Sequence, residues 1–264
     1  MEILSPQLDL DLFFAHITKA QERLLLLDYD GTLAPFQVER DQSFPYPGVT
    51  ELLIDIRNSR TTRIIIISGR AIQDLVPLIN IDPLPEIWGS HGWEHLSSDG
   101  EYTIVYPDEA TRNTISQAKE CISLLNLENH WEQKPVSLAI HLRGLTPERA
   151  ESIQTQVIDH WTKLLEKSSL KIKPFDGGIE LCVVGKDKGT AVNSIIDGLD
   201  EKVAIAYLGD DFTDEDAFKV IKNKGLNVLV REQFRPTNAD LWIKPPQELL
   251  EFLSRWKKAC LALC

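Results

Sequence analysis

The chain has 264 residues, enough for one large domain or two modest ones, and 43% hydrophobic against 26% charged residues marks a globular composition and not a disordered one. With 28 Lys and Arg against 40 Asp and Glu, the net charge of −12 argues against nucleic acid or an anionic membrane as partner, since both call for basic surface. No apolar run approaches membrane-spanning length, the start Met1-Glu2-Ile3-Leu4-Ser5-Pro6 lacks the marks of a signal peptide, and Cys121, Cys182, Cys260 and Cys264 show no zinc or dithiol spacing; a cytoplasmic protein with reduced thiols is expected.

Apolar positions at helical spacing, Leu8, Leu12, Phe13, Ala15, Ile17 and Ala20, predict a helix over 8–20. Four leucines after Arg23 predict a strand over 23–27, buried on both faces and ending on Asp28 and Asp30. Residues two apart on a strand share a side, so the two carboxylates can share a hard cation and a phosphoryl group, one attacking while the other moves a proton. Taken alone, Asp28-Tyr29-Asp30-Gly31 fits a turn equally well. A calcium loop fits poorly, because Leu33 stands where Gly is needed and Phe36 at a ligand position.

A helix over 48–59 and a strand over 63–67 follow, the strand ending on Ser68-Gly69-Arg70. A small hydroxyl there, with the free N–H groups of the next helix, can hold a phosphate oxygen or simply cap that helix. Next come a helix over 71–79 and a strand over 86–89. His91-Gly92-Trp93-Glu94-His95 matches a zinc pattern that works only on a helix, whereas Gly89 and Gly92 with Trp88 and Trp93 predict a strand end and turn. His91 and Glu94 would there meet a sugar hydroxyl or satisfy the core.

Beyond a hairpin of 93–96 with 102–106, the pattern becomes helix (107–125), two strands across Lys134-Pro135, helix (147–166), and two strands split by Asp176-Gly177-Gly178. Trp131 and Trp161 in this block read as core residues more than sugar-stacking ones. Alternation then resumes: a helix over 187–198 opened by Gly185-Lys186-Asp187-Lys188-Gly189, a strand over 203–207, an acidic cluster, a helix over 214–222, a strand over 226–230 and a closing helix from 247. Lys188 could be a solvated charge and the acidic cluster a helix start, but four such strand ends in one order point to a site. The expected fold class is α/β, a Rossmann-like parallel-sheet core of residues 1–107 and 183–264 with a smaller α/β domain, 108–182, inserted in it.

Asp28-Tyr29-Asp30-Gly31-Thr32-Leu33-Ala34-Pro35, Ile67-Ser68-Gly69-Arg70, His91-Gly92 with Glu94, Lys188-Gly189, and Gly209-Asp210-Asp211-Phe212-Thr213-Asp214 resemble the signatures of haloacid dehalogenase-type phosphatases. Trp131-Glu132-Gln133-Lys134-Pro135-Val136-Ser137 narrows the resemblance to the trehalose-6-phosphate phosphatases. The likeness runs from about residue 24 to about residue 250. One departure stands out: Glu180-Leu181-Cys182-Val183 keeps the family's Glu but lacks the Arg-Pro pair that usually follows, and Cys cannot replace a fork of donors.

The resemblance implies that the inserted block is a cap for substrate recognition and that the chain is an enzyme, a phosphoric monoester hydrolase. By the same resemblance Asp28 is the nucleophile, Asp30 the general acid and base, and Ser68 and Lys188 the groups that bind phosphoryl oxygens, with Lys186 the nearest rival to Lys188. Magnesium would be held by Asp28, the backbone carbonyl of Asp30 and Asp210, supported by Asp214 and Asp211. Ser68, Gly69, Arg70, His91, Gly92, Glu94, Glu132, Lys134 and Glu180 would face the substrate. The expected reaction is hydrolysis of trehalose 6-phosphate to trehalose and phosphate through an aspartyl phosphate. Sucrose-6-phosphate, glucosylglycerol phosphate and mannosyl-3-phosphoglycerate are alternative substrates. A phosphosugar mutase would need an Arg cluster for a second phosphate, and Arg112, Arg143 and Arg149 are scattered. A silent module that binds a sugar-phosphate synthase would have lost acidic positions, and all are filled here. The expected partner is a small-molecule sugar phosphate, with such a synthase as the one protein partner suggested.

Overall fold

The computed structural model describes residues 1–165, 169–200 and 202–262. The chain divides into two compact units, Met1–Thr103 with Asp187–Cys264, and Ile104–Lys186. The expectation placed the boundaries at 107/108 and 182/183, against 103/104 and 186/187 in these two units.

The larger unit begins with β1 (Glu2–Ile3), α1 (Leu10–Lys19, capped by the Asp9 carboxylate) and β2 (Arg23–Leu27). It continues through α2 (Val49–Asn58), β3 (Thr62–Ile67), α3 (Ile72–Ile79), β4 (Glu86–Gly89), β5 (Glu94–Leu96) and β6 (Tyr102–Ile104). In the smaller unit follow α4 (Glu109–Ala118), α5 (Glu120–Leu124), β7 (Trp131–Lys134), β8 (Ser137–His141), α6 (Pro147–Leu165), β9 (Leu170–Phe175) and β10 (Gly178–Val183). The chain then re-enters the larger unit with α7 (Lys188–Ile196), β11 (Ala204–Gly209), α8 (Glu215–Ile221), β12 (Leu226–Val230), β13 (Leu241–Ile243) and α9 (Gln247–Leu261).

Strand order in the large sheet is β1-β13-β12-β11-β2-β3-β4-β5-β6, parallel from β13 to β4 and antiparallel at β1 and β5. The leucine run explains why both faces are covered. Leu25 and Leu27 enter the layer built with α1, α2, α3 and α9, whereas Leu24 and Leu26 enter the layer built with α7 and α8. All four are essentially inaccessible, and each such burial contributes about 1.5–3 kcal/mol. Register does the rest: Leu27 stands beside Leu208 on one side and Ile66 on the other, so these strands end level and deliver their next residues to one edge.

The smaller unit is an antiparallel sheet, β7-β8-β10-β9, with α4 packed on β8 and α6 on β9 and β10. Trp161 of α6 is fully buried and donates its Nε1–H to Ala118 O at 3.2 Å, whereas Trp131 is part-exposed with the Lys119 ammonium over its ring. The single helix expected over 107–125 is two, because the Lys119 N–H turns to Ser116 O, three residues back. Cys121, Cys182 and Cys260 are free thiols; Cys264 lies outside the described residues. Among the described residues no helix is long and apolar enough to cross a membrane.

Candidate active site

Asp28 continues the sheet ladder, its N–H donating to Leu208 O at 2.9 Å, and its carboxylate is almost fully buried at the end of β2. Oδ1 accepts from Lys188 Nζ at 2.6 Å and Oδ2 from Thr32 Oγ1 at 3.1 Å. Lys188 opens α7 because Asp187 caps that helix reciprocally with Thr190, each accepting from the other's backbone N–H at 2.8 Å. Lys186 lies between the turn at Val184 and Gly185 and the cap, and it is the Lys188 ammonium that reaches Asp28.

Lys188 Nζ also donates to Asp214 Oδ1 at 2.7 Å, and Tyr207 OH donates to the same oxygen at 2.6 Å. The other Asp214 oxygen accepts the N–H groups of Asp210 and Asp211 at 3.1 and 2.9 Å. Asp214 therefore has both oxygens committed to protein donors: it aims Lys188 and ties the β11–α8 loop. Asp211 caps the short turn by accepting from Phe212 N at 2.7 Å.

Asp210 is different, for its buried Oδ2 has no hydrogen-bond donor among the described residues, and Arg231 Nη1 stands 3.7 Å away. Gly31 makes room for it: a Cβ there would lie 2.3 Å from Oδ2, and the φ of +80° itself favours glycine. Carboxylate oxygens of Asp28, Asp210 and Asp214 all lie within 4.8 Å of one another. Burial pushes Asp28 up to about 7, against the pull of Lys188 and with the help of Asp214 and Asp30. Asp210 is raised well above the ordinary carboxylate range, by burial first and then by its acidic neighbours. Burial alone would depress Lys188, but Asp214 and Asp28 hold its ammonium well above the usual lysine value. Three buried carboxylates against one ammonium, with an orphaned oxygen, are a donor set that fits a hard divalent cation at Asp28 and Asp210.

Asp30 lies one residue pair further on, its carboxylate forked by Arg70, with Nε–Oδ2 at 2.7 Å and Nη2–Oδ1 at 2.6 Å. Ser68, buried at the end of β3, accepts the Arg70 N–H on Oγ at 3.1 Å, which leaves its own proton to give. Gly69 lets the His91 ring approach, since a Cβ would meet that ring at 2.8 Å. His91, at φ 56°, donates its N–H to Ser68 O at 3.0 Å, and Gly92 sits against Ala191 of α7. Glu94 is buried among protein donors, the hydroxyls of Ser90 and Tyr102 and the N–H of Ile72. The structure thus gathers Asp28, Asp30, Ser68, Arg70, Lys188, Asp210 and Asp214 at one sheet edge and gives Glu94 packing partners.

Arg235 was not anticipated. Its Nε and Nη2 donate to Asp210 O and Asp211 O at 3.1 and 2.7 Å, fixing the acidic loop. Nor were Thr32 and Tyr207, whose hydroxyls serve Asp28 and Asp214; a lone Tyr inside an apolar strand was the available signal for Tyr207.

A sequence model of the trehalose-phosphatase family matches residues 26–244. The chain belongs to the trehalose-phosphatase family. Trehalose-phosphate phosphatase B of Arabidopsis thaliana is 28% identical over 268 residues, covering 91% of this chain and 68% of its own length. The C-terminal domain of Candida albicans trehalose-6-phosphate phosphatase superposes with a TM-score of 0.81 at 21% identity, over 98% of this chain and 99% of that one. A Bacteroides thetaiotaomicron phosphatase of the haloalkanoate (HAD) superfamily superposes at 0.57 with 17% identity, over 89% of this chain and 95% of that one. As a trehalose-phosphatase family member the chain is a phosphoric monoester hydrolase, and it shares the Rossmann-like core expected with these solved structures.

In the smaller unit, Glu132, Lys134 and Glu180 lie together on the sheet face opposite the buried Leu138, Ile140, Ile179 and Leu181, with Glu132, Ala139 and Glu180 in one register row. Lys134 Nζ and Ser137 Oγ donate to Glu180 Oε1 at 2.8 and 2.6 Å, and His141 Nε2 lies 3.1 Å from Glu132 Oε2. Buried polar side chains are costly unless hydrogen-bonded, and here Lys134, Ser137 and Glu180 bond to one another.

Proposed function

We propose that this chain is a magnesium-dependent phosphatase that hydrolyses trehalose 6-phosphate to trehalose and phosphate through an aspartyl phosphate on Asp28. The family match across residues 26–244 carries the substrate reading, and the buried Asp28–Lys188–Asp214 cluster supports the chemistry. Asp28 is aimed by Lys188 and Thr32 and attacks the phosphorus in line. Lys188 and the Ser68 hydroxyl take up charge that spreads over the phosphoryl oxygens. Asp30 gives a proton to the leaving sugar oxygen and later removes one from the hydrolytic water. Asp28, the Asp30 carbonyl and Asp210 would hold magnesium, which when bound neutralises the crowded carboxylates and polarises the phosphoryl group. Glu132, Lys134 and Glu180 of the smaller unit would recognise sugar hydroxyls.

The test is phosphate release from a panel holding trehalose 6-phosphate, sucrose-6-phosphate, glucosylglycerol phosphate, mannosyl-3-phosphoglycerate and an aryl phosphate. Trehalose 6-phosphate is expected to be the best substrate, with activity lost to a chelator and restored by magnesium in preference to calcium. A better rate on another sugar phosphate moves the substrate assignment, with Cys182-Val183 in place of Arg-Pro the first place to look. Full activity in metal-free buffer refutes the metal assignment.

A further inference from the structure

Arg70 is almost fully buried, and it meets Asp30 fork to fork. Its Nη1 donates to Arg40 O at 2.8 Å and its guanidinium lies over the Tyr29 ring at 5.9 Å, so the arginine is itself held in place from other directions. The Ser43 hydroxyl lies 2.7 Å from Pro35 O and 3.3 Å from Asp30 Oδ1, sharing one proton between them. The two oxygens of Asp30 are therefore unequal. Oδ1 faces both Arg70 Nη2 and Ser43 Oγ, whereas among the described residues Oδ2 accepts from Arg70 Nε alone. A carboxylate oxygen offers two acceptor positions, so Oδ2 keeps one open.

We infer that Arg70 is the positioning residue of the proton-transfer group: its fork fixes the plane of the Asp30 carboxylate and, with Ser43, presents Oδ2 as the atom that exchanges the proton. This rests on the phosphatase reading above. A bidentate guanidinium fixes a carboxylate in rotation as well as position, which a point charge does not. Asp30 needs such a constraint, because its side chain is about a quarter exposed at 28% and would otherwise turn toward water. In the first half-reaction the Asp28–phosphorus bond forms, the phosphorus–sugar oxygen bond breaks, and the departing oxygen takes the proton from Asp30 Oδ2. In the second, water forms a bond to phosphorus, its proton passes to Oδ2, the Asp28–phosphorus bond breaks, and phosphate leaves. Asp30 is thereby reloaded for the next turnover.

A leaving-group series tests this, since a proton donor matters most where the leaving oxygen is most basic. Hydrolysis of substituted aryl phosphates, from 4-nitrophenyl phosphate to phenyl phosphate, together with a simple alkyl phosphate, is measured at one pH and saturating magnesium. The parent, Arg70→Gln, Arg70→Lys and Ser43→Ala are compared, with circular dichroism as the check on folding. For Arg70→Gln the loss in kcat/KM on the alkyl ester is expected to exceed that on 4-nitrophenyl phosphate by roughly tenfold or more, as for a group misplaced by about an ångström. Arg70→Lys, which keeps charge but not the fork, should show a smaller tilt in the same direction, and Ser43→Ala a smaller one still. If Arg70→Gln does not fold, Arg70→Lys and Ser43→Ala carry the comparison. Losses equal across the series, or no loss, overturn the inference while leaving an active parent a phosphatase. A parent inactive on every ester refutes the phosphatase reading and this inference with it.

Discussion

In its proposed role as nucleophile Asp28 must be an anion, yet its surroundings resist that charge. Burial lifts its carboxyl from an ordinary 3.8 to about 7, so between those values the folded, metal-free protein keeps a proton that the unfolded chain has lost. A proton held more tightly by the native state means stability that is present at low pH and lost as pH rises through that window. The metal-free protein should therefore lose on the order of a few kcal/mol between pH 4 and 7 through this group. Asp28→Asn, which cannot titrate, should flatten that part of the curve and also abolish phosphate release, since an amide is no anionic nucleophile. Chemical denaturation of parent and variant across pH, with a phosphate assay at neutral pH, checks both; parallel stability curves or turnover within about tenfold of the parent would remove Asp28 from the role.

α7 exists as a separate element because Asp187 and Thr190 satisfy its first N–H groups, and that start places Lys188 between Asp28 and Asp214. Replacing Asp187 by Ala removes the cap, which costs about 1 kcal/mol of stability, within a range of roughly 0.5–2. The same change loosens the first turn, so turnover should fall beyond what the stability loss explains. Urea unfolding and kcat measured on the folded variant separate the two, and an unchanged kcat would show that the two carboxylates alone position Lys188. Two elements escaped the sequence for a related reason. β1 and β13 hold two and three residues, too few to show a period of two, and pairing with each other and with β12 makes them strands. By contrast β2, β3, β11 and β12 are legible because burial on both faces writes a largely apolar run into the chain, broken in β12 only by Asn227.

At the scale of the molecule, the chain leaves one unit at Thr103 and returns at Asp187, so the residues proposed to handle the phosphoryl group and the Glu132–Lys134–Glu180 cluster fold in different units. Glu180→Gln is the informative change in the smaller unit, because Glu180→Ala would remove the acceptor 2.8 Å from the buried Lys134 ammonium and confuse recognition with stability. The expected result is a fall of roughly tenfold to hundredfold in kcat/KM for trehalose 6-phosphate, the worth of one charge-assisted hydrogen bond, with little change on an aryl phosphate. Equal losses on both would refute the recognition role. The sequence by itself determined the strand ends, apolar runs halted by Asp28, Ser68 and Asp210, and a helix opening around Lys188, because hydrophobic periodicity is a local property of a chain. Only the tertiary structure decided which groups answer one another. Arg70 clasps Asp30 across 40 residues, Arg235 pins the acidic loop, and Tyr207 serves Asp214, while Glu94 finds its partners in Ser90 and Tyr102. These are choices among polar side chains, and sequence spacing does not encode them. They follow from sheet register and close packing, which bring distant residues to one edge and pair most of the buried polar atoms there, Asp210 Oδ2 being left over.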